Sequence, residues 1–156
     1  MQISILAVGK KMPDWVQAAV SEYTKRLRHE YAFEVLEIPS SGGGKNSNTE
    51  LRKQSEGKSI LARIKPSDHV VALDVAGKRL STRDVAENLA KFKLVGDKVK
   101  FLIGGENGLH DSCLRRAHEC WSLSDLTLTH SMARVVLSEQ LYRADSILKG
   151  HPYHRE

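Results

Sequence analysis

Lys98-Val99-Lys100-Phe101-Leu102-Ile103-Gly104-Gly105-Glu106-Asn107-Gly108 decides the fold class. Its first six residues form a nearly continuous apolar run of strand length, the pattern of a strand buried on both faces. Glycines then stop the run, and a helix is expected from about Asp111 to Cys120. Working outward, His69-Val70-Val71-Ala72-Leu73 has the same buried-strand character, as do Gln2 to Val8 and Phe33 to Ile38. Helical patterns separate these runs. Val16, Ala19, Val20, Tyr23 and Leu27 mark an amphipathic helix that ends near Arg28, with Pro13 suited to its first position. A polar loop, Ser40 to Asn48, leads into a charged helix from about Thr49 to Ile64. Ser81-Thr82-Arg83-Asp84 reads as a capping box with Asp in the acidic place, opening a helix to about Phe92. Trp121 to Leu128 reads as a short extended piece. A last helix, about His130 to Lys149, turns Val135, Val136, Leu141, Ile147 and Leu148 inward. Strands alternating with helices predict a three-layer α/β domain around a mainly parallel sheet.

The 156 residues suit one domain, 1–156, and a chain this long buries roughly 68–70% of its unfolded surface without metal or disulfide. No apolar run approaches the ~18 residues of a membrane span, and the lysines Lys10 and Lys11 follow the first apolar stretch, the reverse of a signal peptide. A cytoplasmic protein with no membrane partner is the expectation. Lys and Arg number 24 against 19 Asp and Glu, a net charge of +5, which points weakly toward a polyanionic partner. Cys113 and Cys120 fall in the same expected helix, about 10.5 Å apart. That is too far for a disulfide. Neither C-x-x-C nor H-E-x-x-H is present, so no metal site is expected.

Parallel sheets bind ligands beyond the carboxyl ends of their strands. Three segments should end there: Leu73-Asp74, Ile103-Gly104-Gly105, and Leu123-Ser124-Asp125-Leu126-Thr127-Leu128. The paired glycines allow close backbone approach to a ligand, but on the pattern alone a tight turn is the preferred reading. Neither G-x-G-x-x-G nor a Walker lysine loop occurs. A second constellation joins His130, Arg134 and Arg143 to the tail residues His151, Tyr153, His154 and Arg155. Thirteen helical residues separate His130 from Arg143, which leaves them about 140° apart around the axis. Only a fold-back or a second chain can unite them. Pro152 stiffens the tail, and Tyr153 offers a stacking face of the kind used for exposed bases.

Ile103-Gly104-Gly105, Leu123 to His130, Glu139-Gln140-Leu141-Tyr142-Arg143-Ala144 and the terminal His151-Pro152-Tyr153-His154-Arg155-Glu156 together resemble the RlmH family. These are the large-subunit ribosomal RNA pseudouridine N3-methyltransferases of the SPOUT superfamily. The resemblance runs from Val8-Gly9-Lys10-Lys11-Met12-Pro13-Asp14-Trp15 to the last residue. It implies a single SPOUT domain with a C-terminal trefoil knot, an obligate homodimer, and S-adenosyl-L-methionine as methyl donor. It places the cofactor against Leu73, Gly104, Gly105, Leu123, Ser124, Asp125, Leu126, Thr127 and Leu128, with His130 shaping the pocket. Asp125 and Thr129 stand where the family does not require an acid and where it can carry a proline. It implies a substrate in 23S ribosomal RNA presented by the assembled ribosome.

A uracil-ring N3 carries a proton that must leave before the nitrogen attacks the methyl carbon. His154 is the first candidate for the base, Arg155 and Arg143 for holding phosphate or the anionic ring, and Tyr153 for positioning the nucleobase. The tail is then expected to complete the partner subunit's site. Lys25, Arg26 and Arg28 supply a basic surface for RNA. Two rival readings are a noncatalytic ribosome-binding or assembly factor and a SPOUT enzyme acting on another RNA.

Overall fold

A computed structural model describes residues 1–41 and 48–155; most of the expected loop at 40–48 lies outside them. Five strands form one parallel sheet: β1 (Gln2–Val8), β2 (Ala32–Ile38), β3 (His69–Arg79), β4 (Lys98–Ile103) and β5 (Glu119–Ser122). Their order across the sheet is β2-β1-β4-β3-β5. Helices α1 (Asp14–Leu27), α2 (Thr49–Leu61), α3 (Thr82–Val95), α4 (Asp111–Arg116) and α5 (His130–Leu148) cover it. A terminal 3₁₀ turn spans Pro152–His154.

Strand alternation divides the core in two. Ile3, Ile5 and Ala7 of β1 with Val99 and Phe101 of β4 face α1, α3 and α5, where Leu27, Leu89, Phe92, Leu137 and Leu141 close over them. Leu6, Val8, Val70, Ala72 and Leu102 face the other way, under Ile60 of α2 and Cys113 of α4. The helix positions follow from handedness. The steps β1 to β2 and β3 to β4 move one way across the sheet and use α1 and α3. The steps β2 to β3 and β4 to β5 move the other way and use α2 and α4. A uniform right-handed crossover puts the two sets on opposite faces.

Local signals fix the helix ends. The Ser81–Asp84 capping box forms, with the Ser81 hydroxyl accepting from Asp84 N–H and Gly96 closing α3 in the left-handed region at φ 76°. Pro13 caps α1 and Asp14 is its first helical residue, while Pro13 O accepts from Val16 and Gln17.

Several expectations need correction. Helix α4 stops at Arg116, so Cys120 lies in β5 and not in one helix with Cys113; both thiols are free. The cause is sheet pairing: His118 N–H donates to Val70 O, and Cys120 sits opposite Ala72. Helix α2 ends at Leu61, three residues early, and α3 runs on to Val95. Only Glu119–Ser122 of the last extended piece is strand. On α5, Leu148 is exposed and Val135, Val136 and Ile147 are half-buried; Arg134, Leu137, Ser138, Leu141, Ala144 and Asp145 form the inward face. Among the described residues, no helix is long and apolar enough to cross a membrane.

Candidate active site

Register brings the three segments together. Ala72 pairs with Leu102 of β4, and Leu73 pairs with Trp121 of β5, so β4, β3 and β5 end side by side at the carboxyl edge. There β3 departs from regular pairing. Leu73 and Lys78 both stand opposite Trp121, so Asp74-Val75-Ala76-Gly77 bow out of the ladder before Arg79 rejoins it at Ser122. Gly77 makes this possible, because a Cβ there would lie 2.6 Å from the Trp121 carbonyl carbon and 2.8 Å from its nitrogen. Only glycine permits that approach. Nothing in the hydropathy pattern marks Gly77; the signal available was a lone glycine inside an extended run.

The bow and the segment after β5 border an open, shallow cleft of about 90 Å³, smaller than the roughly 300–1,000 Å³ of enclosed small-molecule sites. Leu73, Asp74, Val75, Leu123, Ser124 and Leu128 line it, and Leu126 at its lip is 75% exposed. Ala133, on the first turn of α5, forms the back. The polar side chains are engaged in shaping the loops. Ser122 Oγ donates to Ser124 O at 3.1 Å, Ser124 Oγ accepts from Leu126 N–H, and Asp74 Oδ2 accepts from Ala76 N–H. Recognition of a polar ligand in this cleft therefore falls largely to the main chain.

The other residues expected here, Gly104, Gly105, Asp125, Thr127 and His130, are not among those lining the cleft. Gly104 and Gly105 make a tight turn in which Gly108, at φ 80°, donates its N–H to Gly105 O. A Cβ on Gly104 would meet Leu109 N at 2.7 Å, and one on Gly105 would touch Val8. The glycines thus serve a tight turn packed against the chain's own atoms. Asp125 is exposed and pairs with Arg79 at 2.8 Å, and Thr127 is exposed. His130 is half-buried beside Gly9, its Nε2 3.7 Å from where a Gly9 Cβ would sit.

Arg134 is an interior strut. It is 3% exposed, and its Nη2 donates to the carbonyls of Gly9 at 2.6 Å and Val8 at 3.1 Å, while Nη1 meets Glu37 at 2.9 Å. Its Nε is buried with no partner among the described residues. Sequence spacing grouped it with His130 and Arg143; the structure assigns it to fixing α5 against the ends of β1 and β2.

Arg143 and the tail form a separate cluster at the far end of α5. Arg143 Nε donates to Glu139 at 2.8 Å, its guanidinium lies 4.9 Å from the Tyr153 ring centroid, and Tyr153 OH donates to the same carboxylate at 3.1 Å. The Tyr153 ring packs edge-on to Tyr142 at 4.7 Å. Burial first, then hydrogen bonding to Tyr23 and the Glu139 charge, raise the Tyr153 pKa, so its hydroxyl stays protonated. Hydrogen bonding to Glu139 raises that of Arg143. His154 Nδ1 is 2.8 Å from His151 O. A carbonyl only accepts, so Nδ1 carries a proton, and in the neutral ring Nε2 is the acceptor. Arg155 is exposed. From Ala133 to Arg143 is ten helical residues, about 15 Å. One chain therefore holds its cleft and its tail cluster apart.

Of the expected basic surface, Lys25 and Arg26 both pair with Glu22, and Arg26 also lies over the Tyr142 ring. Among the described residues no group of three or more His, Cys, Asp or Glu could hold a metal ion.

A model of the family described as predicted SPOUT methyltransferase matches residues 1–154. Ribosomal RNA large subunit methyltransferase H of Hahella chejuensis is 47% identical over 156 residues, covering 100% of both chains. The protein of the same name from Saccharophagus degradans is 47% identical over 155 residues, 99% of this chain and 100% of that one. The Marinomonas sp. protein so named is 44% identical over 155 residues, with the same coverage. Among solved structures, a probable methyltransferase from Bordetella pertussis superposes with a TM-score of 0.56 over 92% of this chain and 95% of that one. At 14% identity it is a likeness of fold. A putative methylase family protein from Neisseria gonorrhoeae gives 0.57 over 90% and 81%, at 12% identity.

Proposed function

This chain belongs to the RlmH family of SPOUT methyltransferases, and from that premise we propose that it methylates N3 of a pseudouridine in 23S ribosomal RNA on the assembled ribosome. The observation that carries the reading is end-to-end similarity to three proteins named as large-subunit ribosomal RNA methyltransferases. The cleft at the carboxyl edge supports the chemistry.

The residues present fit S-adenosylmethionine. Leu73, Leu123 and Leu128 offer apolar faces for an aromatic base, and Val75 and Leu126 stand 74% and 75% exposed as side chains a ligand would cover. The loops' own side chains are spent on loop shape and engage Ser124 O and Leu126 N–H, so the ribose and adenine edges would fall to the other backbone groups of 123–128. When bound, the cofactor supplies an electrophilic methyl on a sulfonium. The chain's own groups do the rest. In the neutral ring, His154 Nε2, left as the acceptor by the Nδ1 bond to His151 O, takes the N3 proton. Arg143, kept charged by Glu139, and Arg155 hold the nearby phosphate or the anionic ring. Tyr153, kept neutral, positions the nucleobase through its ring and hydroxyl.

The same proposal includes a homodimer, a trefoil knot and cytoplasmic action. A distance of about 15 Å along α5 separates cleft from tail cluster. A second copy presenting its tail to the first copy's cleft brings the two together. The chain after β5 runs past the bow of β3 before entering α5, the course a knotted C-terminus would take.

The test is methyl transfer to whole ribosomes lacking the modification, against protein-free RNA, with the product nucleoside identified by mass spectrometry. Transfer to N3 of one pseudouridine in ribosomes supports the reading. Cofactor binding without methylation of any RNA overturns it.

A further inference from the structure

The loop from β1 to α1 has no part in the chemistry above, yet its construction is unusual. Gly9 at φ 111° and Lys11 at φ 57° both adopt left-handed backbone, a conformation that a lysine rarely takes. The loop is held from below: Gly9 N–H donates to Ile38 O at 2.7 Å, Arg134 binds the carbonyls of Val8 and Gly9, and Met12 O accepts from Gln17 Nε2 at 2.6 Å. What this support presents outward is Lys10, Lys11 and Trp15. Trp15 is 55% exposed in the first turn of α1, and neither lysine has an ion-pair partner among the described residues.

The loop stands on the same carboxyl edge as the cleft. The first turn of α5 joins them, because His130 faces Gly9 while Ala133, one turn on, lines the cleft. Strands β1 and β3 are separated only by β4, about 10 Å. A rigid edge carrying one open indole and two free ammonium groups fits single-stranded RNA: the ring stacks on an unpaired base and the lysines meet flanking phosphates. We propose that Lys10, Lys11 and Trp15 form an RNA-gripping edge that stacks an unpaired nucleotide neighbouring the one being methylated. This inference rests on the ribosomal RNA reading and names the surface that serves it. Charge complementarity selects RNA over a second copy of this chain, since the loop, residues 9–13, carries two lysines and no acid while the chain as a whole has a net charge of +5.

The test compares wild type with Trp15→Ala, Trp15→Phe and Lys10→Ala/Lys11→Ala. Melting temperature, sedimentation and S-adenosylmethionine affinity are measured alongside methyl transfer to unmodified ribosomes. The expected result for Trp15→Ala is a KM for ribosomes raised about 5- to 100-fold, largely restored by Trp15→Phe, with cofactor affinity and sedimentation unchanged. The double lysine variant should flatten the slope of log affinity against log salt by about 1.4. Titration with a uridylate dodecamer should quench tryptophan emission in wild type and not in Trp15→Phe, which retains the buried Trp121. An unchanged KM in Trp15→Ala, with wild type active, overturns the inference and leaves the enzyme reading intact. Altered sedimentation with proportional loss of activity also overturns it, by assigning Trp15 to a protein interface. Wild type inactive on every RNA instead removes the reading on which it rests.

Discussion

Replacing Arg134 by methionine tests how the candidate site is held together. The substitution keeps an unbranched side chain of similar reach and deletes the guanidinium. Two charge-assisted bonds to the carbonyls of Val8 and Gly9 are lost in a 97%-buried setting. At about 1.5–3 kcal/mol each they sum to roughly 3–6 kcal/mol. The Glu37 pair adds at most about 1 kcal/mol, because that carboxylate is partly open to water. Against this, methionine removes the unpartnered Nε–H, a relief of about 1–3 kcal/mol. The midpoints of these ranges leave a net loss of about 3 kcal/mol, about 2–4 with a kcal/mol either way. For a chain of this size each kcal/mol lowers Tm by about 2–4 °C, so a fall of about 4–16 °C is expected by calorimetry. Arg134→Lys should fall between, since one ammonium cannot span both carbonyls and Glu37. Because α5 also backs the cleft at Ala133, S-adenosylmethionine affinity should drop in the methionine variant at temperatures where it remains folded. A melting temperature within about 2 °C of wild type would falsify the strut.

Gly77→Ala should weaken S-adenosylmethionine binding measured by calorimetry and lower stability by about 1–3 kcal/mol, because its Cβ presses on the Trp121 backbone; unchanged affinity would detach the bow of β3 from the cofactor site. Truncation after Gly150 should leave the fold and cofactor binding largely intact and abolish methyl transfer, and full activity would remove the tail from the reaction. His118 accepts the Val70 N–H through Nδ1, and burial, then the charges of His69 and Arg116, hold its pKa below the usual histidine value against Glu119 and Asp97. The folded state thus binds fewer protons there, so this stability is present above about pH 6.5 and is lost as pH falls through the lowered folded value. Urea unfolding at pH 7.5 and pH 5 should show a larger loss in wild type than in His118→Asn, and equal losses would contradict it.

The fold was legible wherever one residue pattern had one physical outcome. The Lys98–Ile103 and His69–Leu73 runs could only be buried strands in an alternating chain, and Ser81 with Asp84 could cap a helix in one way. Cys120 was misplaced because 111–120 is helical in pattern, and pairing of β5 with β3 overrides that local preference. The candidate site was legible in part: chain order and parallel pairing dictate that the three strands end at one edge, and Leu73 and the 123–128 segment meet in the cleft there, while Gly104 and Gly105 turn outside its lining. The bow at 74–77 was not, because a glycine's need to approach a backbone carbonyl leaves no trace in hydropathy. Arg134 misled for the same reason: its spacing on α5 matches His130, and only tertiary packing shows that its partners are main-chain carbonyls 125 and 126 residues away.

The division of labour between cleft and tail is tested most directly by complementation. One protomer is truncated after Gly150 and so lacks His154; another carries Gly77→Ala, which weakens its cleft, and S-adenosylmethionine is supplied at a concentration that fills only the unaltered cleft. Each alone should be inactive on unmodified ribosomes. Co-expressed and purified through two different tags, the mixed dimer should regain roughly one active site, with one chain's cleft served by the other's tail. A mixed dimer as inactive as its parents, while wild type purified the same way methylates fully, would contradict the account.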